Sequence, residues 1–162
     1  MRKIAAVVVL VAGLLARGAW GAGSAAEVTD MDALRAAVRA DKKAFVASTL
    51  ALTPAEAKRF WPIYDNYQRV ADAATRRRTV ALESIVSMDK PLTDAYAKNL
   101  ANELIAADEA EVKARRALSS RLLRGVPTRV LPPKKAARYL QLEYKIRSLQ
   151  AYDIASGIPL VK

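Results

Sequence analysis

The sequence predicts an all-α protein, a long antiparallel helical hairpin with additional N- and C-terminal helices, about four in all. Three observations predict it. Chain breakers are few, with six Gly and seven Pro in 162 residues, and four of the Gly fall between residues 13 and 23. The rest is rich in Ala, Leu, Arg, Lys and Glu, which enter helices at little cost. Apolar positions recur at three- and four-residue intervals, and each such run opens on a cap residue or a Pro.

The N-terminal segment stands apart from that pattern. Met1-Arg2-Lys3 is followed by a 12-residue, largely apolar run from Ile4 to Leu15 and then by small residues ending at Ser24-Ala25-Ala26, the three-part layout of a secretory signal. The run is shorter than the roughly 20 residues a spanning helix needs. Residues 1–26 are therefore expected to be a cleaved signal peptide, with cleavage after Ala26 or else after Gly21, and an uncleaved anchor as the other reading. Residues 27–162 then form a single helical domain, placed by export in the periplasm.

The first helix is expected over 31–50, capped by Asp30, with Leu34, Val38 and Phe45 on its apolar side and Arg35, Arg39, Lys42 and Lys43 on others. The second, 54–88, has the strongest start. Thr53 is its cap, Pro54 its first residue, and Glu56 completes a capping box. Its stripe runs through Phe60, Ile63, Tyr67, Val70, Ala74, Ala81 and Ile85, interrupted at Arg77. Pro62 lacks an N–H and crowds the Lys58 carbonyl, which predicts a kink near that residue.

Thr93 caps the third helix, 94–125, whose stripe of Leu100, Leu104, Ala107, Ala114, Leu118 and Leu122 contains one charge, Glu111. At 1.5 Å per residue the two long helices measure about 52 Å and 48 Å. Pairing them about the turn at 88–93 sets Arg77 opposite Leu104 and Glu111 opposite Val70, so those two charges do not meet. Pro132-Pro133 opens the last helix, 133–155, with Tyr139, Leu142, Ile146, Leu149 and Tyr152 on one stripe. The apolar tail Ile158-Pro159-Leu160-Val161 is expected to dock back. Two rods alone leave a seam uncovered, so the flanking helices or a second subunit must cover it, which predicts a homodimer.

Charge and missing residue types bound the function. Removing Arg2, Lys3 and Arg17 from 27 basic residues leaves 24 against 16 acidic ones, a balance of +8. Export turns that balance away from nucleic acid and toward anionic lipid surfaces or acidic and unfolded polypeptides. The chain has no Cys and no His, which excludes disulfides, thiol chemistry, imidazole catalysis and the commonest transition-metal ligands. After residue 26 there is no Gly-x-Ser-x-Gly turn and no Gly-rich phosphate loop. Glu83, Asp108, Glu109 and Glu111 read as partners for nearby cations and not as acid–base catalysts. A non-enzyme without cofactor or metal is expected.

The helix starts echo one another. Leu52-Thr53-Pro54-Ala55-Glu56-Ala57-Lys58-Arg59-Phe60 is matched by Leu131-Pro132-Pro133-Lys134-Lys135-Ala136-Ala137-Arg138-Tyr139, and Leu92-Thr93-Asp94-Ala95-Tyr96 is a shorter third. This resembles the Leu-Thr-x-x-Gln pattern of the Spy/CpxP family, although Glu56, Lys135 and Tyr96 stand where Gln would be. The layout is similar over roughly residues 30–155. The resemblance implies a signal peptide, a long hairpin, a basic cradle-shaped dimer, and a role as an ATP-independent chaperone for unfolded envelope proteins or as an adaptor acting on a membrane stress-sensor domain. Metal-sensing relatives use His and Met, and this chain has no His and three Met.

Candidate client-binding residues are Arg76, Arg77 and Arg78 on the second helix, Arg115 and Arg116 on the third within a cluster that includes Lys113, Arg121 and Arg124, and Lys134, Lys135 and Arg138 on the fourth. Arg77 is the sharpest, because it interrupts an apolar stripe. Trp61 and Tyr64 are the apolar candidates. The competing function is a non-catalytic structural module or one that binds anionic membrane surfaces through its charge and amphipathic helices.

Overall fold

The computed structural model describes residues 29–87, 92–125 and 129–160. The expected signal segment 1–26 lies outside them, as do Met88 and Val161. Four helices follow one another, α1 (Met31–Leu50), α2 (Pro54–Val86), α3 (Asp94–Leu122) and α4 (Pro133–Ser156), and the described residues contain no strand.

The starts are set locally. Asp30 accepts the N–H groups of Asp32 and Ala33, Thr53 and Glu56 complete their capping box, and Thr93 accepts from Tyr96. The ends follow burial. Leu122 is buried while Leu123, Arg124 and Gly125 are exposed, so α3 stops at Leu122, short of the expected 125, where further turns would bury nothing. Helix α1 is not one regular rod. Asp41 is extended, at φ −161° and ψ 98°, and its carboxylate accepts the Ala44 N–H at 2.9 Å, capping a second helical segment. Pro62, by contrast, sits exposed inside α2, which continues as helix from Pro54 to Val86.

Contacts give the topology. Arg77 meets Glu103, and Tyr96 donates to Ser84, so α2 and α3 are antiparallel and form the most extensive helix pair. Phe60 packs on Tyr139, and Asp72 meets Arg147, so α4 runs parallel to α2. Arg35 meets Asp153 while Lys135 donates to the Ala51 carbonyl, so α1 runs antiparallel to α4. The result is an up-down-up-down bundle, in which the outer helices cover the seam that the hairpin alone leaves open.

The core lies where all four helices overlap. Leu34, Val46, Phe60, Leu118, Leu131, Tyr139, Leu142 and Ile146 are withdrawn from water. Phe60 and Tyr139 meet edge to face at 4.9 Å between ring centres. Two expectations are corrected here. Tyr152 leaves the α4 stripe and is exposed, because at 100° per residue it lies about 120° around the helix from the buried Ile146. Of the tail, Ile158 is half-buried against the end of α2 but Leu160 is 92% exposed, since nothing reaches it beyond the last turn of α4.

Candidate functional site

Along the α2–α3 hairpin runs an apolar groove of about 330 Å³. Helix α2 contributes Ile63, Tyr67 and Val70, with Asn66 at the edge. Helix α3 contributes Ala110, Ala114 and Ala117, whose small side chains leave the space open, and Leu118. Lys113 and Arg121 border it from α3. They are two turns apart, about 12 Å along the helix, both are exposed, and neither has an ion-pair partner among the described residues. The groove thus pairs a greasy floor with two uncompensated positive charges. The buried Tyr67 hydroxyl has no hydrogen-bond partner. Burial above all, then the Glu143 carboxylate, pushes its pKa up to about 12, so it stays neutral.

The predicted cations divide into paired and free. Arg77 holds Glu103, with Nη2 at 2.9 Å from the carboxylate, so the residue that interrupts the α2 stripe is matched across the hairpin. Arg78 binds Asp108 and Glu111, and Arg115 binds Glu111 at 2.8 Å. These bonds account for the charge in the α3 stripe: Glu111 is buried between two guanidinium groups. Lys135 donates to Glu56 and to the Ala51 carbonyl, each at 2.7 Å, tying α4 to the α1–α2 turn. Arg77, Arg78, Arg115 and Lys135 are therefore fastenings of the bundle, whereas Arg76, Arg116, Lys134 and Arg138 are free of ion pairs among the described residues.

Of the two aromatic candidates, burial corrects one. Tyr64 is 3% exposed and packed tilted or edge-on against Phe60, Trp61 and Tyr139, which makes it core and not a contact surface. Trp61 is half-buried with the Lys43 ammonium 5.4 Å from its ring.

Sequence reasoning missed a polar network at the centre of the bundle. Glu143 accepts from Arg147 Nε at 2.9 Å and from Lys42 at 3.2 Å. Gln68 accepts from Lys42 at 2.8 Å and from Arg147 at 2.6 Å, and Arg147 Nη1 lies 2.8 Å from Asp72. Three helices, α1, α2 and α4, meet in these groups. Burial lowers the Lys42 pKa against the pull of Glu143. Burial also opposes the Arg147 charge, but Glu143 and Asp72 outweigh it and hold the pKa above its ordinary value. The network is charge-balanced, with Glu143 and Arg147 buried and Asp72 half-exposed at its edge, which suits it to fixing helix register.

Ser87-x-x-Lys90 has the spacing of a Ser–Lys pair, but the Ser87 hydroxyl donates to the Glu83 and Ser84 carbonyls and Lys90 lies outside the described residues. Among the described residues there is no group of acidic side chains able to hold a metal ion, and no helix is long and apolar enough to cross a membrane. Compared with protein-family models, with curated proteins and with solved structures, the chain matches none.

Proposed function

We propose that this chain is an exported, ATP-independent binding protein that holds unfolded or acidic polypeptide segments, in the manner of a Spy/CpxP-type chaperone or stress adaptor. The observation that carries the reading is the α2–α3 groove, where an apolar floor lies beside the unpaired Lys113 and Arg121. An unfolded segment offers both complements at once, apolar side chains for the floor and carboxylates for the rim. The capped helix starts that resemble the Leu-Thr-x-x-Gln pattern, the secretory layout of residues 1–26 and the basic balance of the mature chain support it further.

Binding of this kind is weak and reversible, because the groove is shallow enough to release a segment that begins to fold. The purified protein should suppress aggregation of a chemically unfolded acidic client at near-stoichiometric ratio without ATP. Ala117→Trp places a large ring at an exposed position of the groove and should abolish suppression while leaving the helical circular-dichroism signal intact. No suppression at several-fold excess overturns the reading. So does co-sedimentation with vesicles of anionic phospholipid in the absence of any client effect, which would establish the membrane-surface function instead.

A further inference from the structure

The walls of the α2–α3 groove limit what can lie in it. On α2 its lining falls at Ile63, Tyr67 and Val70, and on α3 at Ala110, Ala114 and Ala117, steps of four and three residues along each helix. The backbone of both stretches lies inside helices, so its N–H and C=O groups are already bonded. An extended segment laid on that floor would lose water from its own backbone groups and gain no partner for them. A helix arrives with its backbone satisfied. Its side chains also recur at three- and four-residue steps and can seat between those of the two walls. The three Ala reach no further than Cβ, which lets a helix axis approach to about 8 Å, the near end of the packing range.

We infer that the groove takes its client as an amphipathic α-helix of about three turns, with two carboxylates along one edge. The inference rests on the client-binding reading and narrows its substrate class. The length follows from α3, where Ala110 to Arg121 covers about 16 Å. The carboxylates follow from Lys113 and Arg121, which stand two turns apart on the α3 side, exposed and without an ion-pair partner among the described residues. Acidic side chains about two turns apart on the docked helix have the same spacing and lie beside its apolar stripe. Recognition is then of the helix-in-groove kind, and the client forms one helix on this protein before it completes its own packing.

Fluorescence anisotropy with labelled peptides of about four turns tests it. One peptide carries Leu at three- and four-residue steps, with two Glu about two turns apart beside them. A second has the same composition in an order that scatters the Leu around the helix. A third keeps the first order but has one central Pro, which breaks the helix. The first should bind at least about tenfold tighter than either of the others, and isotope labelling should show its backbone carbons moving to helical shifts as it binds. Ala117→Trp should remove that binding. Equal binding of the three, binding of none, or binding of the first without helical shifts overturns the inference. If aggregation of an unfolded client is still suppressed in those cases, the client-binding reading stands and only the helical form of the client falls; if suppression is absent as well, both fall.

Discussion

Arg147 bonds to Glu143, one turn earlier on the same helix, with both side chains almost wholly withdrawn from water at 4% and 3% exposure. Pairs at this spacing are ordinarily surface ornaments of small effect. Here the pair is the hub of a network in which α1 contributes Lys42 and α2 contributes Gln68 and Asp72.

Glu143→Ala should therefore cost far more than a surface carboxylate. It leaves the Arg147 and Lys42 charges facing each other in the core, a loss of about 3–5 kcal/mol. Urea denaturation measures it. Replacing Lys42, Glu143 and Arg147 together by Met, Leu and Met should recover most of that loss, since the uncompensated charges disappear with their partner.

Acid should weaken the α1–α2 turn through Glu56. The Lys135 ammonium, then the Thr53 amide, hold its carboxyl below the ordinary value of 4.5. A depressed carboxyl contributes stability that is complete above 4.5 and is lost as pH falls through the folded value. Glu56→Gln should flatten the stability profile in that acidic window and, by removing the charge of the Lys135 pair while Gln keeps the capping box, lower stability by less than about 1 kcal/mol at neutral pH. Thermal melts between pH 3 and 7 decide this.

Asp41→Ala should remove the cap of the second segment of α1, at a cost of about 1 kcal/mol. The loss should appear locally, as faster amide exchange in residues 42–50, because Lys42 anchors that segment to the network. Uniform acceleration across all four helices would disprove a local role for Asp41.

The combined variant Lys113→Glu, Arg121→Glu should weaken binding of an acidic unfolded client at low salt and change it little at high salt, where screening already removes the attraction. Titration at the two ionic strengths reads the difference. An equal loss at both would assign the effect to packing and not to charge.

Much of the fold was legible because it is written in neighbouring residues. Asp30, Thr53 with Glu56, and Thr93 each bind N–H groups two or three positions away, so their helices announce themselves in the sequence. What depends on residues far apart did not show. Glu143 and Arg147 look like any helical i,i+4 pair until α1 and α2 close over them. The groove exists because Ala110, Ala114 and Ala117 meet Ile63, Tyr67 and Val70 across the hairpin, and alanines on a helix carry no mark of what they face. The break in α1 was hidden for the opposite reason: an Asp inside a long polar stretch fits a helix surface and an internal cap equally well.

The pairing of α1 with α4 has a consequence for how the molecule comes into being. Arg35 and Asp153 lie 118 positions apart, whereas the α2–α3 hairpin closes across a short turn. The chain is made from its N-terminus, so the first helix can meet α2 through Lys42 and Lys43 early but lacks its α4 partner until nearly the last residue has appeared. The hairpin can assemble early from local contacts, and the last-made helix then recruits the first. Until that moment the apolar side of α1 is only partly covered, and the unfinished protein is itself in the condition of the clients proposed for it.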